Sequence, residues 1–146
     1  MIKNIKSEFN TLEMYNIFSN CMYMSTWENF SQRAMEYMND ESVSIFGYYI
    51  DNQIYGVIVI QQQSDKTYEI KGIATEFTQR EKGIAMQLIK FVCCELPIST
   101  LIAETDDDAV GFYKKCGFEA EEFIKTGDSG EYKRYRCTMK INLLYK

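Results

Sequence analysis

Between Ser42 and Glu76 the chain carries three successive strand-like runs, "SVSIFGYYI", "IYGVIVIQQQ" and "KTYEIKGIATE", separated by little more than "DNQ" and "SD". Joints this short connect antiparallel neighbours, so the runs predict a three-stranded meander. The period then changes. Ala85, Leu88, Ile89, Val92 and Leu96 recur at i, i+3, i+4, i+7 and i+11, the spacing of an amphipathic helix. Within the third run, alternation is expected to place Tyr68, Ile70 and Ala74 on one side and Glu69, Lys71, Ile73 and Thr75 on the other.

The flanks complete the order. "IKNIKSE" alternates as a short strand, and Leu12 to about Met38 reads as two helices divided near "MSTWENF", with Ser25 or Thr26 capping the second. Trp27, Phe30, Ala34 and Met38 fall on one predicted buried stripe. "STLIAET" reads as a strand and "DDDAVGFYKKCGF" as a short helix, capped by Asp106 or Asp107 and closed by a left-handed Gly117. "FEAEEFIKT" and "KRYRCTMKI" pair as a closing hairpin around "GDSGE". The order β-αα-βββ-α-β-α-ββ predicts an α/β fold of the α+β type, with a mixed, mostly antiparallel, seven-stranded sheet and about four helices.

A chain of 146 residues is read as one domain, residues 1–146, large enough to bury a core without metal or disulfide staples. A single proline, Pro97, argues against linkers and disordered tails. The net charge of −5, with no long Lys/Arg run, argues against nucleic acid as a partner and suits an amine. "MIKNIKSEF" lacks an apolar signal core, and no run of about 18 apolar residues occurs, so no membrane association and a cytoplasmic location are expected. Cys21, Cys93, Cys94, Cys116 and Cys137 are odd in number and lack CxxC spacing. They read as reduced core residues, with no metal site expected. Histidine is absent, which removes every Ser-His and Cys-His pair and the commonest general base. Chemistry must fall to carboxylates, tyrosine, backbone dipoles or a cofactor.

One junction stands out. In "TQREKGIAMQLIKFV" the helix begins on Gly83, between charged residues, without a Ser, Asp or Pro to cap it. A helix start offers up to four free N–H groups and a partial positive charge, which makes it a cradle for an anion. Arg80, Lys82 and Lys90 add positive side chains. Neither GxxxxGK[ST] nor GxGxxG is present. A plain turn with solvated charges is the competing reading.

"REKGIA" at 80–85, following a strand that ends in "IKGIAT", resembles the Arg/Gln-x-x-Gly-x-Gly/Ala signature of the GNAT superfamily of acetyl-CoA-dependent N-acetyltransferases. "AVGFYKKCGF" at 109–118 is similar to that superfamily's second landmark, and the two occur in order across about residues 42–141. The resemblance implies a sheet splayed between its fourth and fifth strands. It implies that amides of Arg80, Glu81, Lys82, Gly83, Ile84, Ala85 and Met86 hold the pyrophosphate of coenzyme A. Ile73, Ala74 and Thr75 would pair their backbone with the pantetheine arm, an N–H near Ile73 polarising the thioester carbonyl. Asp106 stands where many relatives carry an asparagine touching pantetheine; a helix cap is its alternative role. Tyr113 matches the tyrosine that protonates the departing thiolate, against a reading as a core aromatic.

Glu69 lies where some relatives hold a glutamate base, while a solvated pair with Lys71 explains it equally. Tyr23 or Trp27, in the segment that lines the acceptor pocket of relatives, are candidates to touch substrate.

These readings converge on transfer of acetyl from acetyl-CoA to a primary amine on a small molecule or peptide, by direct attack and without metal. A non-catalytic CoA-binding sensor on the same fold is the alternative. An exposed strand or the closing hairpin offers a surface for a homodimer.

Overall fold

The first hairpin joint is written in backbone conformation. Asp51 and Asn52 both take positive φ, 50° and 67°, the pair of left-handed residues that a two-residue turn requires. In the computed structural model, which describes residues 1–76, 78 and 82–142, that turn joins β2 (Val43–Ile50) to β3 (Gln53–Ser64). The chain opens with β1 (Ile2–Asn4), α1 (Leu12–Phe18) and α2 (Trp27–Met38). β4 (Thr67–Thr75) completes the meander, followed by α3 (Ile84–Glu95), β5 (Thr100–Thr105), α4 (Val110–Lys115), β6 (Glu119–Gly127) and β7 (Gly130–Lys140). The strands form one seven-stranded sheet in the order β1-β2-β3-β4-β5-β7-β6. Only the β4–β5 pair is parallel.

Helices cover both faces. Leu88, Ile89 and Val92 of α3, with Tyr113 of α4, pack on Ile58, Ile60, Ile70, Leu101 and Cys137. On the other face Phe18, Phe30 and Ala34 of α1 and α2 pack on Ile45, Val57, Val59 and Ala74. Both N-terminal helices carry side-chain caps: Thr11 accepts from the Met14 amide and Thr26 from the Asn29 amide. Gly117 closes α4 with φ of 103°, as its sequence position suggests. Among the described residues no helix is long and apolar enough to cross a membrane.

Several local expectations give way. Trp27 is 40% exposed and leaves the α2 stripe to Phe30 and Ala34. Ala85 and Leu96 are half-buried, and Ile84 and Cys93 take their places in the α3 core face. The β6–β7 turn is tighter than "GDSGE", because Gly127 still pairs with Gly130. Only Cys93 and Cys137 are buried; Cys21 and Cys94 are exposed, Cys116 is half-buried, and no disulfide links any of the five.

The largest difference is in β4. Val59 pairs with Gly72 but Ile60 pairs with Ile70, so Lys71 is an extra residue, a β-bulge. The bulge inverts the alternation. Tyr68 and Ile70 face α3 and Ile73 now packs on that same side, whereas Ala74 turns to α1 and α2. The simple period-2 reading, which put Ile73 opposite Tyr68 and Ala74 beside it, fails at that residue.

Candidate active site

β4 and β5 are bonded only where Thr67–Glu69 meets Thr100–Ile102. Past that point each keeps its outer partner: β4 stays on β3 as far as Thr75, and β5 stays on β7 as far as Thr105. The ladder between them stops while both half-sheets continue, so the sheet opens between Ile70–Thr75 and Ala103–Thr105. Facing backbone edges with no mutual hydrogen bonds are an open template for an extended ligand.

α3 begins at the mouth of this opening. Its N-cap is Gly83, left-handed at φ 80° and without a side-chain cap bond. Among the described residues beyond its chain neighbours, a Cβ there would meet nothing within 4 Å. The first helical bond runs from the Gln87 amide to the Gly83 carbonyl, so the amides of Ile84, Ala85 and Met86 precede the ladder. Ile84 is buried, Ala85 and Met86 are half-buried and Lys82 is exposed. The bare, open helix start fits an anionic ligand group. Arg80 and Glu81, also expected in this cradle, lie outside the described residues. A groove of about 500 Å³ lies between α3 and the turn after α4 with the end of β7, lined by Met86, Ile89, Lys90, Cys116 and Met139.

Tyr113 reaches the opening from α4. It is 6% exposed, with its ring edge-on to Phe112 at 5.3 Å and to Phe118 at 5.2 Å. Its hydroxyl makes no hydrogen bond to a described residue. Burial pushes its pKa up, with smaller contributions from Cys21, Cys137, Cys116 and Asp106, so the phenol stays protonated well past neutrality. Asp106 itself is occupied: its Oδ1 accepts from the amides of Asp108 and Ala109, both at 3.0 Å. That contact braces the turn into α4, whose N-cap residue is Ala109. Asp107 does not cap; it accepts from the Tyr135 hydroxyl at 2.8 Å and pairs with Lys133.

On the face covered by α1 and α2, Glu69 occupies the last paired position before the opening. Its Oε1 accepts from Gln63 at 3.0 Å and lies 3.6 Å from Lys71 Nζ, while Oε2 has no partner among the described residues. The sequence proposed Glu69 either as a base or as half of a solvated pair. The Lys71 contact is present, and the side chain is only 16% exposed. The candidates for substrate contact diverge: Tyr23 is 89% exposed, whereas Trp27 packs on Tyr15 and Phe30 at 5.8 Å each.

Two residues reach this place without any sequence signal. Asn20 Nδ2 donates to the Thr75 carbonyl at 3.2 Å, tying the end of α1 to the end of β4. Cys21, read from the sequence as a core thiol, has its sulfur at the same edge. The Ile73 N–H faces it, and desolvation pushes its pKa up to about 12, against smaller lowering effects from Arg33 and that amide. Both residues follow α1 directly, but no spacing in "FSNCMYM" distinguishes them from other turn residues.

Beyond β5 the same face carries a cross-strand row of Glu104, Arg136 and Glu121, beside a groove of about 320 Å³. Among the described residues no group of three His, Cys, Asp or Glu side chains is arranged to hold a metal ion.

An open parallel joint beside an uncapped helix start is the arrangement that the resemblance to acyl-group transferases implies, and comparison with known proteins agrees. The profile of the acetyltransferase (GNAT) domain matches residues 10–136, so the chain belongs to the GNAT acetyltransferase family. No curated protein matches by sequence. Among solved structures, a GNAT-family protein from Desulfovibrio desulfuricans superposes with a TM-score of 0.78 at 14% identity, over 96% of this chain and 98% of the other. The ribosomal-protein-S18-alanine N-acetyltransferase of Escherichia coli gives 0.75 at 16%, over 98% and 94%. A GNAT family acetyltransferase from Elizabethkingia anophelis, with acetyl-CoA bound, gives 0.72 at 21%, over 97% of both chains. At these identities the likeness establishes the shared fold.

Proposed function

We propose that this protein transfers an acetyl group from acetyl-CoA to a primary amine, which attacks the thioester carbonyl directly. The observation that carries this reading is the break in the β4–β5 ladder after Glu69 and Ile102, with the bare start of α3 at its mouth. Amides of Gly83, Ile84, Ala85 and Met86, with the Arg80–Lys82 segment, take the pyrophosphate. The edge of Ile73, Ala74 and Thr75 holds the pantetheine, and the Ile73 N–H receives the charge that develops on the carbonyl oxygen. Asp106 supports the site through the turn into α4.

Glu69 accepts the proton that the ammonium sheds, through its free Oε2 or one water. Tyr113 returns a proton to the departing thiolate, a role for which a buried, neutral phenol with an unpartnered hydroxyl is suited. The sequence holds no histidine to activate a nucleophile, which agrees with direct attack. Glu104, Glu121 and Glu122 outnumber Arg136 in lining the groove beyond β5, a net negative surface that favours a cationic amine.

The test is turnover of acetyl-CoA against small amines, aminoglycosides, polyamines and peptides, beside thermal shifts with CoA, ATP and NAD. Stabilisation by CoA alone, with acetylation of one amine class, supports the proposal. Stabilisation without turnover of any amine favours the sensor alternative, and no response to CoA sinks both.

A further inference from the structure

Gly72 is the third residue of β4 beyond its last pairing with β5. A Cβ on Gly72 would lie 2.6 Å from Phe18 Cε1 and 3.3 Å from Cys21 Sγ. The end of α1 and the turn after it therefore press directly on the β4 backbone at the opening. The Cys21 thiol is held there by donating to the Phe18 carbonyl at 3.2 Å. Tyr113 lies in the core on the α3 face of the same sheet, 6% exposed and with no hydrogen-bond partner for its hydroxyl among the described residues.

We propose that Cys21, backed by Phe18, is the end wall of the acyl pocket and limits the transferred group to acetyl. The inference rests on the acetyl-CoA reading above. A thioester carbon is trigonal, so its oxygen, sulfur and acyl chain point about 120° apart. With the oxygen on the Ile73 N–H and the sulfur toward Tyr113, the chain is left against the α1 side of β4. There the Cys21 sulfur already faces the Ile73 amide. Cys21 is exposed as a residue, while its sulfur is packed against Gly72 and hydrogen-bonded to the Phe18 carbonyl. The thiol must therefore turn outward to admit the carbonyl oxygen. Beyond the thiol the Phe18 ring is 1% exposed and locked among Phe9 and Phe30, so the wall behind it does not yield.

The discriminating experiment measures calorimetric affinity for CoA, acetyl-CoA and butanoyl-CoA in wild type, Cys21→Ala and Cys21→Leu, and needs no knowledge of the acceptor. Wild type should prefer acetyl-CoA over butanoyl-CoA by about 10-fold or more, the scale for surplus methylenes in a closed apolar pocket. Cys21→Ala should narrow that preference by roughly 10-fold. Cys21→Leu should keep its affinity for CoA while losing roughly 10-fold for acetyl-CoA. An unchanged acyl preference in Cys21→Ala, with CoA binding intact, overturns the inference and leaves the acetyltransferase reading standing. Failure of the wild type to bind CoA overturns that reading and this inference together.

Discussion

The first residue of α3, Ile84, rests on the bare backbone of Gly56: a Cβ on Gly56 would lie 2.7 Å from Ile84 Cγ2 and 3.2 Å from Leu88 Cδ1. This contact seats the start of α3 on β3, beside the opening. Gly56→Ala should therefore shift or strain that helix end. The expected stability loss is about 1–3 kcal/mol, the range for overpacking a tight core, with weaker CoA binding. Urea melts and CoA calorimetry on the same variant check both parts; unchanged values would mean that Ile84 does not fix the cradle.

Gly83 tests the cradle itself. Its φ of 80° is left-handed, a conformation that strains an ordinary residue by about 1–2 kcal/mol. Among the described residues beyond its own chain neighbours nothing lies within 4 Å of the Cβ position, so a side chain there projects toward the place where the ligand's phosphates are expected. Gly83→Val should abolish the thermal shift produced by CoA while the unliganded protein still melts cooperatively. Wild-type CoA affinity in this variant would remove the cradle from the mechanism.

For Tyr113, replacement by Phe keeps the ring contacts with Phe112 and Phe118 and deletes only the hydroxyl. Folding should be unaffected and kcat should fall about 10-fold or more. The defect should shrink with an acyl donor whose thiol is more acidic, because that group leaves without help. The raised phenol pKa keeps the acid protonated, so Tyr113 should impose no alkaline limb on kcat below its ordinary value of 10.0. Equal kcat for Tyr113→Phe and wild type would return Tyr113 to a packing role.

Glu69→Gln retains the shape of the side chain and removes its capacity to take a proton. The expectation is a kcat lowered by about 10²–10⁴-fold with the Kd for CoA nearly unchanged. Wild-type turnover would leave Glu69 as the partner of Lys71 and nothing more.

Cys21 adds a pH dependence. In the unfolded chain its thiol ionises near the ordinary 9.0, but in the folded state its pKa is pushed up to about 12. Below pH 9 both states hold the proton and nothing changes. Between those values the unfolded state has shed the proton and the folded state has not, so stability falls as pH rises. The urea midpoint should decline above about pH 9, less steeply in Cys21→Ala. Parallel declines in the two proteins would show that the sulfur is not desolvated.

Much of this was legible in the chain because it is local. The "DNQ" joint predicts a tight turn, and Asp51 and Asn52 supply it. Thr26 and Gly117 perform the end-of-helix roles that their residue types suit. In β7 the side chains keep a plain alternation, with Cys137 buried between exposed Arg136 and half-buried Thr138. Alternation misread β4 after Lys71, because an inserted residue flips every later side chain and leaves no mark in composition.

The sequence alone determined the element order and the family to which the chain belongs. It also determined an uncapped helix start at Gly83 and a tyrosine on the short helix before β6. Each of these follows from periodicity, φ preference or a contiguous motif, all of which act within one stretch of chain. The tertiary structure alone decided where the β4–β5 ladder stops and which face Ile73 takes. It alone brought Asn20 to the Thr75 carbonyl and set Cys21 against Gly72. Those are contacts between segments dozens of residues apart, fixed by strand register and by helices docking on a bulged sheet. Register and docking are settled by the packing of the whole core, so no single segment encodes them.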